Sequence, residues 1–491
     1  MEAKQSNRSS CAQHWIGGQW VDSGTRRDSV NPGTGKAFGT YLDGGVNEAR
    51  SAVGAALAAF RDTEWKADST RRATALSHLA DAYESRAEEL ATLISTEIGK
   101  IKAEARFEVA LIPRTLRFAA GLAMQTYGRV MEARPGYQAM ILREPIGVAG
   151  LIVPWNAPAY LAIRAMAPAL AAGTTTVVKL PSQAAQVAAL SSEIIASVPE
   201  ITVGAVNIFV ESGAEGAKFL VSSPDVPAIS FTGSSAVGRE IGIAAAANFK
   251  RVGLELGGKS PHLVFDDANL ESALPRIEKS ITVFGGQFCL TAGRLLVQRG
   301  IADAVRNGLA ARLAKVKTGP AFDPANDMGS LIDQASVRRV NAMVEEAIRA
   351  GARVIVRGGP IIEGAFSCGA FYRPTLLEVS DSNLVIVRSE VFGAVQVMQV
   401  FDTEEQAITL ANDSDYGLGA SIWSENVDRP IRVARRLDVG MVFINDWASV
   451  AAQFEVGGVK HSGRGRLGGL ASLDDFLEYK QITQTFRQPL S

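Results

Sequence analysis

The sequence has few of the residues that build disulfide frameworks or metal centres. Its 491 residues include three cysteines, Cys11, Cys289 and Cys368, and four histidines. An odd, widely spaced set of cysteines does not form a disulfide framework and favours a reducing compartment, so we expect a cytoplasmic protein. The histidines and cysteines also lack the close spacing of a structural zinc site, so no bound metal is predicted.

Long apolar runs and an excess of charge of one sign are also missing. No apolar run approaches the ~20 residues that are needed to cross a bilayer. The polar N-terminal residues 1–10 lack the apolar core of a secretory signal. The formal net charge of −1 gives no electrostatic reason to expect nucleic acid or an anionic membrane as a partner. Neither is therefore predicted to bind.

The chain is long enough for several domains. Its 491 residues, of which 47% are hydrophobic, exceed what a single core usually serves, so two to three domains are predicted. Between residues 148 and 264 short apolar runs alternate with helical stretches. Runs that are apolar on both faces are typical of parallel strands covered by helices, which predicts a dinucleotide-type α/β domain. The runs are Val148–Val153, Thr175–Leu180, Val206–Val210, Ala228–Phe231 and Val252–Leu256.

Other segments predict a second α/β run, from Ser280 to about Ile444, and a small β-arm. Between Gln125 and Arg143 short extended pieces are broken by glycine and proline, and the alternating segment Tyr479–Phe486 is the predicted partner strand of this arm. The remaining predicted elements are a hairpin at Ile16–Val21, helices at Asn47–Phe60, Thr70–Ile98, Ala103–Met124 and Val337–Ala350, and strands at Arg353–Val356 and Val395–Phe401.

The motif GQFC, which ends at Cys289, combines a candidate nucleophile with a pliable backbone. A cysteine among apolar residues is usually a small buried hydrophobe, but Gly285 and Gly286 allow loop conformations that suit a closely approaching ligand. Upstream, the motif LELGGK holds Glu255 in an apolar strand that ends at paired glycines. A buried glutamate has a raised pKa and acts as a general base near neutral pH. The two motifs together indicate a cysteine nucleophile with a separate glutamate base.

Six motifs follow one another along the chain: VPWNAP, FTGSSAVG, LELGGK, GQFC, SEVFG and GMVFIN. Their order and spacing resemble those of the aldehyde dehydrogenase superfamily over nearly the whole chain. The resemblance implies an α/β fold with a Rossmann-like cofactor domain (residues 1–124 and 143–255) and an α/β catalytic domain (256–455). It further implies a β oligomerisation arm (125–142 and 470–491) and assembly into a homodimer or homotetramer.

The resemblance also implies oxidation of an aldehyde to the carboxylic acid. Cys289 is then the thiolate that attacks the carbonyl, and Asn156 of the proline-flanked PWNAP turn binds the oxyanion together with the Cys289 N–H. After hydride transfer to the nicotinamide, Glu255 activates the water that hydrolyses the thioester. A CoA-acylating variant needs no such base, so Glu255 argues against it. The intact Cys289 argues against a non-catalytic protein of this fold.

Phosphate binding is expected where FTGSSAVG passes from a strand into a helix, because a helix N-terminus presents unpaired N–H groups. The resemblance makes Gly233 and Ser234 pyrophosphate ligands and assigns the adenosine ribose to Lys179. Three residues after this Lys the family commonly has Glu, and this chain has Ser182. Because a carboxylate repels a 2′-phosphate and Ser does not, NADP is favoured, with NAD as the alternative. The other predicted coenzyme contacts are Trp155, Glu390 and Phe392.

The substrate is less closely specified. Arg164 lies within a segment predicted to be a helix that lines the substrate tunnel. An Arg at this position resembles the family members that oxidise aromatic aldehydes. It equally resembles the members that oxidise semialdehydes bearing a carboxylate. The semialdehyde type usually adds a second Arg where this chain has Val283, so an aromatic or otherwise apolar aldehyde is favoured. A structural ion pair is the alternative role for Arg164. The predicted substrate contacts are Arg164, Leu161, Phe288 and Trp447.

Overall fold

The computed structural model describes residues 11–125 and 127–486, without the side chain of Ala365. The N-terminal residues 1–10, which we expect to carry no secretory signal, lie outside the described residues, as do Thr126 and residues 487–491 of the predicted arm. Within the described ranges, no helix is long and apolar enough to cross a membrane.

Helices and strands alternate through most of the described chain. The α-helices are α1 (Val46–Asp62), α2 (Ser69–Ser85), α3 (Ala87–Ile98), α4 (Lys102–Ala123), α5 (Pro158–Ala172), α6 (Ala185–Ala196), α7 (Glu215–Ser222), α8 (Ser235–Ala246), α9 (Leu270–Thr282), α10 (Ala302–Leu313), α11 (Gln334–Arg349), α12 (Val385–Arg388), α13 (Glu404–Asn412) and α14 (Arg429–Ala434).

The strands are β1 (Cys11–Ala12), β2 (His14–Ile16), β3 (Gln19–Val21), β4 (Thr25–Asn31), β5 (Lys36–Asp43), β6 (Arg129–Arg134), β7 (Tyr137–Pro145), β8 (Val148–Ile152), β9 (Thr175–Pro181), β10 (Val206–Glu211), β11 (Ala228–Thr232), β12 (Arg251–Glu255), β13 (Pro261–Val264), β14 (Arg294–Gln298), β15 (Arg353–Val356), β16 (Gly359–Pro360), β17 (Tyr372–Arg373), β18 (Thr375–Glu378), β19 (Val395–Phe401), β20 (Tyr416–Gly417), β21 (Gly419–Trp423), β22 (Met441–Ile444), β23 (Val459–Lys460), β24 (Gly463–Arg464) and β25 (Leu477–Thr485).

The first large sheet contains the predicted dinucleotide-type segment. Its strand order is β24-β12-β11-β8-β9-β10-β2-β3, and β8 to β12 run parallel. These five strands coincide with the five predicted apolar runs, and helices pack against them in two apolar clusters. From β8 the chain proceeds to β9 and β10 on one side and to β11 and β12 on the other. The strand order therefore reverses at β8, which is the switch point of the sheet. Ligands of such sheets bind next to the switch point, in the crevice at the carboxyl ends of the strands.

The second large sheet begins earlier than the sequence predicts. Its order is β15-β18-β19-β14-β13-β21-β22, and β13 starts at Pro261 rather than after Ser280. The four residues of β13 are all buried, and a run this short does not show whether its apolar residues follow a strand pattern or belong to a loop. The predicted helix and strands of this region are α11, β15 and β19, which confirms them.

A three-stranded antiparallel sheet stands apart from the two large ones. It has the order β25-β7-β6, and β25 pairs with β7 from Leu477 to Thr485. The predicted pairing of the C-terminal segment with the arm is therefore confirmed. Its role in oligomerisation, and the domain boundaries drawn around it, remain predictions.

The predicted helix Thr70–Ile98 is wrong as a single helix. Arg86 separates α2 from α3 with φ of −111° and ψ of 18°, and its guanidinium pairs with Glu89. Leu79 and Leu90, on either side of the break, are buried in the same apolar cluster. The spacing of apolar residues continues across the turn, so it gives no sign of the break.

Candidate active site

A cavity of about 930 Å³ lies between the two large sheets and collects residues from distant motifs. It is open to the carboxyl ends of strands in the first sheet, where the switch point predicts a ligand. Lys179 and Ser182 do not line it. The predicted site residues that line it are Trp155, Asn156, Leu161, Arg164, Gly233, Ser234, Glu255, Phe288, Cys289, Glu390, Phe392 and Trp447.

A left-handed turn presents Cys289 to this cavity. Phe284, Gly285 and Gly286 follow α9 with φ of 54°, 65° and 74°. A Cβ on Gly286 would lie 2.2 Å from the carbonyl carbon of Gly393, so a side chain does not fit there. The expectation that the paired glycines shape this loop is confirmed. Phe284 adopts the same conformation although it has a Cβ, which marks local strain.

The thiol of Cys289 lies among opposing charges. Burial raises its pKa to about 12, Arg164 lowers it, and the carboxylates of Glu255 and Glu390 raise it again. The thiol therefore stays protonated near neutral pH unless a base or additional positive charge assists its ionisation. Cys11 and Cys368 are free thiols that do not line this cavity.

Asn156 is held against the Cys289 loop by its own side chain. The PWNAP turn that carries it joins β8 to α5, and Pro158 is the first residue of that helix, a position where proline fits. The Nδ2 of Asn156 donates to the main-chain oxygen of Gln287 at 3.0 Å. An amide has two N–H groups, so one of them can donate to a ligand while the other fixes the side chain to the loop.

Glu255 ends β12 and reaches the same cavity. Its Oε1 is buried and has no hydrogen-bond partner among the described residues. Burial raises its pKa to about 7, while Arg164 and Arg466 lower it and Asp475 raises it. A carboxylate with such a pKa exchanges protons near neutral pH, as a general base must.

The coenzyme end of the cavity offers a helix N-terminus and two aromatic rings. Ser234 is the N-cap of α8, and Gly233 lies next to it, an arrangement that suits a phosphate. Trp155 and Phe392 meet edge to face with ring centroids 5.6 Å apart. These groups fit the phosphate and the flat ring of a nicotinamide dinucleotide.

Glu390 supplies a carboxylate at the same end. Its Oε1 accepts a hydrogen bond from the Gly258 N–H at 3.2 Å. Burial raises its pKa to about 7, whereas that hydrogen bond, Lys259 and Arg339 lower it. As an anion it is an acceptor for sugar hydroxyl groups.

Lys179 and Ser182 lie at the carboxyl end of β9, away from the first cavity. Glu211, at the end of the adjacent strand β10, was not predicted from the sequence. Lys179 pairs with Phe209 of the adjacent parallel strand, so Glu211, two residues later, points to the same face. Burial lowers the pKa of Lys179, and Glu211 and Asp43 raise it. Lys179 is therefore less free to pair with a phosphate than the sequence argument assumes. Ser182 lines a second cavity of about 370 Å³.

An aromatic wall closes the substrate end. Phe284 contacts Phe288 edge to face at 5.6 Å between centroids, and Phe288 contacts Trp447 in the same way at 5.9 Å. The Nε1 of Trp447 donates to the main-chain oxygen of Leu290 at 2.8 Å and fixes the indole. Tyr160 and several aliphatic residues complete a mostly apolar lining.

Arg164 is buried in α5 and faces this lining without an ion-pair partner. Its Nε has no hydrogen-bond acceptor, and no salt bridge to it occurs in the part of the chain that the structure describes. The alternative role as a structural ion-pair residue is therefore not supported. An unpaired buried guanidinium instead favours a negatively charged or strongly polar ligand group.

Two charged pairs near the cavity were missed by the sequence argument. Glu104 pairs with Lys279 at 2.8 Å on the cavity wall, and Lys100 pairs at 2.5 Å with Glu108, which also lines the cavity. Residues of this kind in a helical segment are usually solvated, and nothing in their spacing indicates burial. Over residues 11–125 and 127–486, no group of His, Cys, Asp and Glu side chains is arranged to hold a metal ion.

Comparison with known proteins gives a consistent match over the chain. The family model described as the aldehyde dehydrogenase family matches residues 20–482. The chain is 35% identical over 472 residues to betaine aldehyde dehydrogenase of Bacillus subtilis, covering 95% of this chain and 96% of that protein. It is 36% identical over 482 residues to 2-aminomuconic semialdehyde dehydrogenase of Mus musculus, covering 96% and 97% of the two chains.

Solved structures give the same result. Betaine aldehyde dehydrogenase from Staphylococcus aureus, in complex with NAD+, superimposes with a TM-score of 0.94 at 33% identity, covering 98% of this chain and 96% of that chain. An NAD-dependent aldehyde dehydrogenase from Sinorhizobium meliloti has the same TM-score of 0.94 and the same 33% identity, again covering 98% of this chain and 96% of that chain.

Proposed function

The chain belongs to the aldehyde dehydrogenase family, and we propose that Cys289, Asn156 and Glu255 carry its reaction. It is an NAD(P)-dependent enzyme that oxidises an aldehyde. The observation that supports these roles is one cavity lined by a thiol, a side-chain amide and a buried carboxylate. Covalent oxidation needs a nucleophile, an oxyanion donor and a base for hydrolysis, and each of the three residues supplies one.

In the first half-reaction, the Cys289 thiol releases its proton to water, an ionisation that Arg164 favours. The thiolate then attacks the aldehyde carbon, and the carbonyl oxygen becomes an oxyanion. The free N–H of the Asn156 amide and the Cys289 main-chain N–H donate to it. Removing one such donor costs about 2.7–4 kcal/mol in another enzyme. When bound, the nicotinamide coenzyme supplies the hydride acceptor. Loss of hydride leaves a thioester on Cys289.

In the second half-reaction, Glu255 takes a proton from water, and the resulting hydroxide adds to the thioester carbon. The carbon–sulfur bond then breaks, which releases the carboxylic acid and the Cys289 thiolate. A pKa of about 7 suits Glu255 to this step. If CoA were the acyl acceptor, the unpaired Glu255 carboxylate would have no role, so water is the acceptor we propose.

Product analysis tests this assignment. We expect reduced coenzyme and free carboxylic acid to form from an aldehyde panel without CoA. Strict dependence on CoA would replace hydrolysis by acyl transfer. Absence of reduced coenzyme with every aldehyde and both coenzymes would contradict the catalytic assignment altogether.

We propose an aromatic or otherwise apolar aldehyde as the substrate. The support is the edge-to-face series of Phe284, Phe288 and Trp447 on a mostly apolar wall. Aromatic ligands pack on such walls with favourable edge and face contacts. Val283, where semialdehyde enzymes usually have Arg, is apolar.

A semialdehyde is the second candidate, and the unpaired Arg164 is the observation that favours it. The Arg164→Met variant separates the two. Because Arg164 also affects Cys289 and Glu255, the informative quantity is the ratio of kcat/KM for succinic semialdehyde to that for benzaldehyde. A charge-assisted contact is worth about 1.5–3 kcal/mol, so a carboxylate bound by Arg164 predicts at least a roughly tenfold fall in this ratio. An unchanged ratio supports the apolar substrate.

For the coenzyme we propose that the enzyme uses NADP at least as well as NAD, because Ser182 replaces the usual carboxylate. Glu211 opposes this preference, since its carboxylate faces the same edge as Lys179. Dissociation constants of both coenzymes for the apoenzyme test the balance. We expect Ser182→Glu to shift the ratio toward NAD, and Glu211→Gln to shift it toward NADP, each about five- to tenfold. Unchanged ratios in both variants would mean that other residues set the preference.

A further inference from the structure

A buried ion pair lies at the wall of the candidate active-site cavity, which one of its members, Glu108, lines. The Nζ of Lys100 is 2.5 Å from the Oε2 of Glu108, and the two side chains are 2% and 1% exposed. Lys100 follows the end of α3, and Glu108 lies on α4. A buried pair of this kind is often no more stabilising than apolar residues of the same volume. Stability alone therefore does not account for it.

The second oxygen of Glu108 controls how α5 begins. Its Oε1 accepts hydrogen bonds from the main-chain N–H groups of Ala159 and Tyr160, at 3.1 and 3.2 Å. These are first-turn amides of α5, which have no partner within the helix. Because α5 follows the PWNAP turn directly, Glu108 fixes the direction in which the chain leaves Asn156.

The ammonium group of Lys100 also contacts the Cys289 loop. Its Nζ lies 3.7 Å from the ring centroid of Phe284, which is cation–π geometry. Phe284 opens the left-handed turn with φ of 54°. Strained backbone of this kind persists only where the surroundings hold it. Lys100 is in direct contact with this strained residue.

The two contacts converge on Gln287. The main-chain N–H and the Nε2 of Gln287 both donate to the main-chain oxygen of Phe284, at 3.1 and 3.0 Å. The main-chain oxygen of Gln287 accepts the hydrogen bond from Asn156. On one side, Lys100 is linked to Asn156 through Glu108 and the first turn of α5. On the other side, it is linked to the same Asn156 through contacts with Phe284 and Gln287.

We propose that Lys100 is a positioning residue that sets the distance between the oxyanion donor Asn156 and the loop of Cys289, acting through Glu108 and Phe284. The inference rests on the proposed roles of Asn156 and Cys289. Lys100 does not line the cavity and touches no reacting atom. Its loss therefore slows formation and oxidation of the thiohemiacetal and leaves coenzyme affinity unchanged.

The test compares Lys100→Met with the double variant Lys100→Met/Glu108→Gln. The single variant leaves a buried unpaired carboxylate, which destabilises the fold. The double variant removes both charges but keeps an amide oxygen for the N–H groups of Ala159 and Tyr160. The double variant should therefore recover the melting temperature, while the ring of Phe284 still lacks its cation.

The decisive measurement is the single-turnover rate of reduced-coenzyme formation, expressed per alkylatable Cys289 thiol. We expect both Lys100 variants to be slower by about ten- to a hundredfold, since a displacement of about 1 Å costs that much elsewhere. The dissociation constant of the coenzyme should stay within about twofold of the parent. Arg306→Met, which breaks an ion pair with Glu378 away from the cavity, is the matched control and should lower stability without slowing the single turnover.

Two outcomes overturn the proposal. Recovery of both the rate and the melting temperature in the double variant would make Lys100 a purely structural residue. If Lys100→Met does not fold, Phe284→Leu decides instead, and a parental single-turnover rate in that variant contradicts the role of the ring. Activity that survives in Cys289→Ala would instead refute the proposed function, so the two failures are distinguishable.

Discussion

A single guanidinium acts on both the proposed nucleophile and the proposed base. Arg164 lowers the pKa of the Cys289 thiol and also that of Glu255, against the effect of burial. It has no ion-pair partner among the residues of the described ranges. Cys289 and Glu255 are therefore both biased toward their charged forms by one residue. A substrate anion that paired with Arg164 would reduce this bias, so binding and activation are coupled at this position.

Replacement of Cys289 by Ala should abolish oxidation and leave coenzyme binding intact, because the proposed mechanism assigns the covalent bond to the thiol and no coenzyme contact. Reduced-coenzyme formation and a coenzyme titration are the two measurements. Cys11→Ala and Cys368→Ala are the controls and should match the parent. Residual turnover within about tenfold of the parent would contradict covalent catalysis by this residue.

Replacement of Glu255 by Gln should allow one turnover and then stall, because the carboxylate is assigned to hydrolysis of the thioester. Rapid mixing should give a burst of reduced coenzyme, followed by a slow steady state. In the parent enzyme the hydrolytic rate should rise with pH through about 7, as Glu255 loses its proton. Loss of the burst would assign Glu255 to thiol deprotonation as well, and an unchanged steady state would remove it from hydrolysis.

The same pKa shift affects stability with a defined sign. The pKa of Glu255 is raised in the folded state from 4.5 to about 7, so the folded state holds a proton that the unfolded chain has lost between these values. Stability from this group is present below pH 4.5 and is lost as pH rises through 7. Glu255→Gln should therefore raise the melting temperature above pH 7 and change it little in acid.

The sequence predicts that Cys289, Asn156 and Glu255 share a site because each lies in a short motif with its own chemistry, and the structure brings all three to one cavity. Lys100 and Glu211 were not recognisable, since their roles depend on partners that are distant in sequence. Glu211 faces Lys179 only because β9 and β10 pair in a particular register. Lys100 reaches Phe284 only after α3, α4 and the Cys289 loop have packed. Such contacts follow from topology, which one sequence does not specify.

At the scale of elements, the turn Val283–Gly286 shows how backbone geometry serves the site. Gly286 has φ of 74°, and a Cβ on it would lie 2.2 Å from the carbonyl carbon of Gly393. Gly286→Ala should lower the free energy of unfolding by more than about 2 kcal/mol. It should also slow single-turnover formation of reduced coenzyme, because Cys289 is displaced. Gly242→Ala in α8 is the control. Its added Cβ meets nothing within 4 Å, and Ala should stabilise a helix interior by about 0.5–1 kcal/mol. Equal stabilities of the two variants would contradict the steric argument.

Elements were predictable where burial leaves a simple pattern. The strands β8 to β12 are apolar because helices cover the sheet, so their sequences identify them. The sequence does not reveal the break at Arg86, because the helical spacing of apolar residues continues across it. It does not reveal β13 either, because four residues are too few to show a strand pattern. Long buried elements are thus read from sequence, whereas turns set by individual hydrogen bonds are not.

At the scale of the whole molecule, neither large sheet contains a complete site. The first sheet supplies Asn156, Ser234 and Glu255 from the carboxyl ends of its strands. The segments around the second sheet supply Cys289 and Glu390. The proposed site therefore depends on how the two sheets pack together, and the Asn156–Gln287 hydrogen bond directly links the segments that the two sheets carry.

The three-stranded arm exposes an apolar row on one face. Val130 pairs with Met140, which pairs with Ile482, so the three side chains lie side by side, and Leu142 follows on the same face. Val130 is 66% exposed and Ile482 is 40% exposed. Contiguous apolar surface of this kind typically marks an interaction site. The predicted oligomerisation role gives it a partner, namely another copy of the chain.

Substitution of Ile482 by Lys tests this role at the end of the row that lies on the outer strand β25. A buried, unpaired ammonium group should weaken association by about 2 kcal/mol or more, which is roughly a 30-fold change in the association constant. Light scattering over a range of protein concentrations measures the change. Thr483→Lys adds the same charge to the opposite face of β25, because side chains alternate along a strand, and it should leave assembly at the parental level. If both variants associate like the parent, the arm is not the interface. If both dissociate equally, charge alone is responsible, and the apolar face has no specific role.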